Sequence, residues 1–202
     1  MAQNQPDHQR LEQALARFDH ENAQDPNLEP SEGSLFPREL LYAKRLSHWV
    51  STLAPDASET LRLAARAQHI CRWTIPRTSY PSDKAGYLRW RNDLKKFHAR
   101  KAAGILREIG YPDPAIRAVE SLIRKENFPS DPESRVLEDA LCLVFLQFQF
   151  RELAERTSED KMINALRKSW NKMTPAARGK ALELPHGPAE LILLKKALEP
   201  AS

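Results

Sequence analysis

The hydrophobic pattern peaks at residues 136–150, VLEDALCLVFLQFQF, where apolar positions fall on every side at helical spacing. A surface helix keeps one wet face, so this pattern predicts a central helix covered all round. The stretch is too short, and with two acids near its start too charged, to span a bilayer. Glu138 and Asp139 lie at helical spacing from Leu141, Cys142, Leu143, Phe145 and Leu146, so both carboxylates point into apolar surroundings. A buried carboxylate is costly unless something neutralises it. Two partners would do so: an Arg or Lys from a neighbouring helix, or a metal ion.

The rest of the chain reads as amphipathic helices separated by Pro-bearing breaks, with no sustained period-two alternation, so the expected class is all-α. A first helix is predicted over 6–22, with Leu11, Leu15 and Phe18 on one face, then a polar connector through Gly33. FPRELLYAKRLSHWVSTL follows, with Pro37 suited to a first turn and Leu41, Arg45, His48 and Thr52 on one stripe. Ser58 is a candidate N-cap for ETLRLAARAQHICRW, which would place Ala65, His69 and Arg72 on one face. The loop 74–86 holds Arg77 and Tyr80. One long helix then ends at Gly110, with His98 facing inward beside Leu94, Ala102 and Ile105. Helices at 114–126, 159–173, 175–183 and 188–198 complete the set, Thr174 and Pro175 marking the start of the third of these. The expected division is 1–34 (first helix and connector), 35–155 (helical core) and 156–202 (C-terminal helices packed on the core), in one domain overall.

Charge changes this picture more than composition does. The formal net charge is only +4, yet residues 61–101 hold 11 Lys/Arg against Asp83 and Asp93. Residues 1–60 hold 5 Lys/Arg against 10 Asp/Glu. So basic a window suggests a phosphate-bearing small molecule, nucleic acid, or pairing with the acidic N-terminal part. The polar start MAQNQPDHQR carries no hydrophobic signal region, and the two cysteines, Cys71 and Cys142, lack CxxC spacing and sit in helical patterns. Reduced core thiols and a cytoplasmic location are expected, with no membrane partner.

Three histidines, His48, His69 and His98, fall mid-helix on successive helices, and Glu138–Asp139 opens the central one. Imidazole and carboxylate are ligands of divalent ions, and helical bundles draw such ligands from separate helices. The ordinary alternative is that each is a satisfied core or surface residue. Arg72, Arg77 and Arg91 suit a bidentate grip on phosphate, and Tyr80 stands among them with Trp73 and Trp90 for stacking on a base.

The order of His on one helix, AARAQHI on the next, FHARKAAGIL on a third and the Asp of LEDALCLVFL resembles the HD superfamily of metal-dependent phosphohydrolases. More closely, ELLYAKRLSHWV, LAARAQHICRWTIPR, YPSDKAGYLRWRNDLKKFHA, LEDALCLVFL and KSWNKM resemble the family known as domain of unknown function 4202, over roughly residues 10–184. The second family name carries no activity. The first implies an HD-like multi-helix bundle around the buried helix at about 136–150. It also implies a divalent ion (Mn, Mg, Fe, Co or Zn) held by His48, His69, His98 and Asp139. Where its pattern reads His-Asp, this chain reads Gln68-His69-Ile70, so either His69 replaces the histidine and Ile70 the aspartate, or Gln68 and His69 take those places. A one-residue shift turns a helical side chain by about 100°, and the two alignments describe different sites.

The resemblance thus leads to an expected metal-dependent phosphohydrolase acting on a nucleotide or similar phosphorylated small molecule. Glu138 would accept or orient the proton of the attacking water. Arg72, Arg77, Tyr80, Arg91 and Lys125 would contact substrate, Lys125 lying where some HD relatives carry a further His. Two alternatives come from the same residues. One is an HD-like scaffold that senses a nucleotide without hydrolysing it, favoured by the lost His-Asp doublet. The other is a nucleic-acid-binding helical protein using the 61–101 surface.

Overall fold

The computed structural model describes residues 4–199, and among them the chain is a multi-helix, all-α protein with one small hairpin. Its contacts divide it into two units, Met1–Ser134 and Arg135–Ser202. The sequence division set its borders at 34/35 and 155/156 instead.

In the first unit, α1 (Asn4–Asn22) buries Leu11, Ala14 and Phe18, the face that its period predicts. The expected connector then folds into an antiparallel hairpin, β1 (Leu28–Ser31) and β2 (Ser34–Pro37). Glu32 and Gly33 turn it with φ of 49° and 77°. Two positive φ values match the twist of a tight hairpin, and Gly33 adopts its value without steric cost. Four-residue strands around Pro30 give no period-two run, so the sequence hides them.

α2 (Arg38–Leu53) follows, capped at Pro37, and buries Glu39, Tyr42, Ala43, Leu46, Trp49 and Val50. This stripe lies one position away from the one read in the sequence. α3 (Glu59–Ala67) starts at Ser58, whose hydroxyl accepts the Leu61 N–H, and it ends earlier than expected. The chain turns through residues 68–71, with Cys71 left-handed at φ 53°, into a 3-10 turn at Arg72–Thr74. Buried Asn22 of α1 makes this turn possible, because its Oδ1 accepts the Cys71 N–H at 3.0 Å. Cys71 is a buried free thiol as expected, but it sits in this turn rather than in a helix.

α4 (Lys84–Ile109) is capped by Asp83 on the Gly86 N–H and stopped by left-handed Gly110. α5 (Asp113–Arg124) buries Ile116, Val119, Leu122 and Ile123, and packs on both α3 and α4.

The second unit takes most of α6 (Pro132–Val144). Burial here is continuous over Leu137–Ala140 and Cys142–Val144, as an all-round apolar pattern requires. The regular helix does not reach Phe150. A wide π-type turn occupies Phe145–Gln149, leaving Leu146 buried and residues 147–149 exposed. α7 (Phe150–Glu155), α8 (Glu159–Lys172), α9 (Pro175–Leu182) and α10 (Pro188–Leu198) follow. Thr174 caps α9 by accepting the Ala177 N–H. No helix among the described residues is long and apolar enough to cross a membrane.

Candidate functional site

The break after α3 builds the site. Had that helix continued, His69 and Arg72 would have lain three residues apart, about 60° from alignment on one face. The 68–71 turn instead folds Arg72 back on His69, with Nη1 3.2 Å from His69 Nε2. The same Nη1 is 3.5 Å from His69 Nδ1, so the guanidinium is shared between the two ring nitrogens. On its other face the imidazole stacks on Tyr42 of α2, centroids 4.2 Å apart and planes at 15°. Arg72 in turn lies over the indole of Trp90, 4.9 Å from its centroid. Trp90 is fixed by donating its Nε1–H to the Ile75 carbonyl at 2.9 Å. Tyr42, His69, Arg72 and Trp90 thus form one stacked column, held by dispersion and cation–π attraction. About a quarter of the Arg72 side chain and a fifth of His69 remain open to solvent.

His98 of α4 stands next to the column, its centroid 5.8 Å from that of His69. Its Nδ1 lies 2.8 Å from the Ile70 carbonyl. The carbonyl can only accept, so Nδ1 carries the proton and Nε2 holds a bare lone pair. That nitrogen is buried and makes no hydrogen bond among the described residues. Burial pushes the His98 imidazole down to about 4. Burial first, and then the Arg72 guanidinium, hold His69 well below the usual imidazole range, with Arg91 and Lys125 adding to the same field. Both rings are neutral at neutral pH.

Glu39 completes the group. Its Oε2 is 3.7 Å from His69 Nδ1 and its Oε1 is 4.0 Å from Arg72 Nε. At these distances neither contact is a hydrogen bond, and with a neutral imidazole the first is no ion pair either. Burial pushes the Glu39 carboxyl up to about 7, against the opposing pull of Arg72. Its Oε2 and the Oε1 of buried Gln68 are also without hydrogen-bond partners among the described residues. Gln68 donates its Nε2 to the Ile123 carbonyl at 3.4 Å. The sequence reading missed Glu39 and Tyr42. Their signal was there: positions 39, 42, 43 and 46 make one helical stripe.

Other expected site residues are placed differently. His48 is exposed on α2, beside Trp49. Six residues after Tyr42, it points about 240° away around the helix. Arg77 is a loop clasp, donating to the Tyr80 carbonyl at 2.9 Å and the Asp83 carbonyl at 3.5 Å. Tyr80 donates its hydroxyl to Asp93 at 3.0 Å. Arg91 donates to the Tyr87 hydroxyl at 3.1 Å, and Lys125 occupies the left-handed C-cap of α5.

The acid pair has its own partners within the second unit. Lys172 Nζ donates to Glu138 at 2.9 Å, a neighbouring helix supplying the cation. Asp139 accepts the Thr174 N–H at 2.9 Å and the Thr174 hydroxyl at 2.6 Å. Glu138 is thereby neutralised by an ammonium, and Asp139 is hydrogen-bonded by two neutral donors. Among the described residues no group of three or more His, Cys, Asp and Glu is gathered to hold a metal ion. The residues as placed do not fit the divalent centre that the HD resemblance implies.

The basic window divides between two uses. Arg66 pairs with Asp19 at 3.5 Å and Lys101 with Glu21 at 2.9 Å, cations of the window meeting acids of the N-terminal part. Lys95, Lys96 and Arg100 line an open groove of about 460 Å3 with Asn92, Arg124 and Glu126.

No curated protein and no solved structure matches the chain. A family profile described as a domain of unknown function does match, over residues 12–193. That match takes in every residue of the column, His98, Glu39 and the acid pair, and the chain belongs to the DUF4202 family.

Proposed function

We propose that the chain binds a phosphorylated small molecule of the nucleotide type at the Tyr42–His69–Arg72–Trp90 column, as a sensor or carrier. One observation carries the reading: the stacked Arg72 guanidinium lies against His69, and beside that ring stands neutral His98, whose buried Nε2 has no hydrogen-bond partner among the described residues. A phosphate meets Arg72, with Arg91 and Lys125 contributing to the same positive field. A hydroxyl or amino group of the same ligand meets the acceptors, His98 Nε2 and Gln68 Oε1. Filling a buried acceptor relieves a desolvation cost that the free protein carries. A cytoplasmic setting belongs to the same proposal, supported by the two free thiols, Cys71 and Cys142.

Metal-dependent hydrolysis of such a phosphoester is the reading that the HD resemblance favours. It needs imidazoles and carboxylates gathered in one place, and Glu138 and Asp139 already have protein partners. Recognition of nucleic acid has one observation of its own, the basic groove of Lys95, Lys96 and Arg100. It requires steep salt dependence of binding.

Titration calorimetry with nucleoside mono-, di- and triphosphates, run beside an orthophosphate-release assay with and without divalent ions, tests the proposal. Binding to the wild type that is lost in Arg72→Gln, without turnover, supports it. Metal-dependent phosphate release would replace it with the hydrolase. Binding unaffected by Arg72→Gln would remove the site.

A further inference from the structure

We infer that a second anion site, independent of the column, lies between α2 and α3: a cavity of about 100 Å3 that takes one tetrahedral oxyanion, as inorganic phosphate or as the phosphate of a larger molecule. Ser47 and Ser51 of α2 and Arg62 and Arg66 of α3 line it, with Leu15, Val50 and Ala65 forming its apolar part. Each polar pair is spaced i, i+4, so it projects from one face of its helix over successive turns. The volume equals about three waters at ~30 Å3 each, enough for one oxyanion and too little for a base.

Arg66 points to the ligand. Its Nε and Nη1 are buried and donate no hydrogen bond among the described residues. Buried guanidinium donors normally find acceptors, and a tetrahedral oxyanion is a strong, charged one. The nearest carboxylate, Asp19, stands off at 3.5 Å, and its own Oδ1 is also without a hydrogen bond. Asp19 is a single acid set against both Arg66 and Lys44, and burial raises its carboxyl despite their pull. Arg62, Arg66 and nearby Lys44 therefore outnumber it. The Ser47 hydroxyl is already given to the Ala43 carbonyl at 2.9 Å. The hydroxyl of Ser51, one turn on, is the donor assigned to the anion.

The test is thermal melting of the full chain in inorganic phosphate against chloride of equal ionic strength, repeated with a nucleoside monophosphate. The variants are Arg66→Gln, Ser51→Asp and Arg72→Gln. Phosphate raises Tm in the wild type and in Arg72→Gln, and its apparent affinity falls about tenfold or more in Arg66→Gln, the loss of one charge-assisted contact. Ser51→Asp, a substitution at an exposed helical position that places a carboxylate at the cavity, gives the same loss and keeps the test alive if Arg66→Gln fails to fold. Monophosphate protection lost in Arg66→Gln or Ser51→Asp identifies an ester as an occupant. Loss only in Arg72→Gln assigns the ester to the column, leaving inorganic phosphate as the occupant here. No wild-type response to phosphate, or a full response in both Arg66→Gln and Ser51→Asp, overturns the inference.

Discussion

The imidazoles of His69 and His98 lie 5.8 Å apart, and each takes its polar contact from the turn that ends α3. Arg72 reaches back to the first, and the Ile70 carbonyl fixes the second. Two neutral rings beside a raised carboxyl make this part of the first unit responsive to pH.

Stability should respond to pH in two opposite ways. The Glu39 carboxyl is raised from 4.5 to about 7, so its contribution is complete below pH 4.5 and is lost as pH rises through 7. Glu39→Gln removes that loss. Relative to wild type it should gain on the order of 3 kcal/mol between pH 4.5 and 8, measured by denaturant titration at each pH. The His98 imidazole is lowered from 6.5 to about 4, so its contribution is present above 6.5 and is lost as pH falls towards 4. His98→Asn, which can still donate to the Ile70 carbonyl, should flatten the acid limb by a similar amount, about 3 kcal/mol. Parallel curves for wild type and variant would refute either assignment.

The ion pair of Glu138 and Lys172 should behave as structure. Glu138 is 5% exposed at its side chain and Lys172 is 50% exposed. Lys172→Met should cost about 1–2 kcal/mol, less than for a fully buried pair because the ammonium is half in water. Adding Glu138→Met should recover most of that. Ligand binding should be unchanged in both, and a lost ligand response would return Glu138 to the functional residues.

Thr174 serves both the Asp139 carboxylate and the start of α9. Thr174→Ala should lower stability by about 1–2 kcal/mol, within the range for N-cap loss. Asp139→Asn keeps an acceptor for the backbone N–H and should cost less. Chemical denaturation of the two variants gives the order, and a larger loss in Asp139→Asn would contradict this account.

Legibility followed the range of the interactions. α8, α9 and α10 were readable almost to the residue, because Thr174–Pro175 and Gly187–Pro188 are local signals. The inward face of α4 at His98 was readable too, since Leu94, Ala102 and Ile105 set its period. The end of α3 was not, because Asn22, far away in sequence, supplies the acceptor that stabilises the turn at Cys71. With that turn unseen, His69 and Arg72 were placed on a helix face instead of in a stacked column. The hairpin was missed because its strands are too short to show alternation. His48 was misplaced because α2 buries the stripe through Glu39, Tyr42 and Leu46, which the pattern also allowed.

The most direct measurement is the histidine side-chain nitrogen spectrum during titration with a nucleoside monophosphate. Before addition, His98 should show the Nδ1–H neutral tautomer at pH 6. Saturating ligand should shift its Nε2 resonance, as a hydrogen bond arrives, and perturb His69 as Arg72 turns to the phosphate. Resonances of both rings unmoved at saturation, or His98 charged at pH 6, would contradict a ligand site at this column.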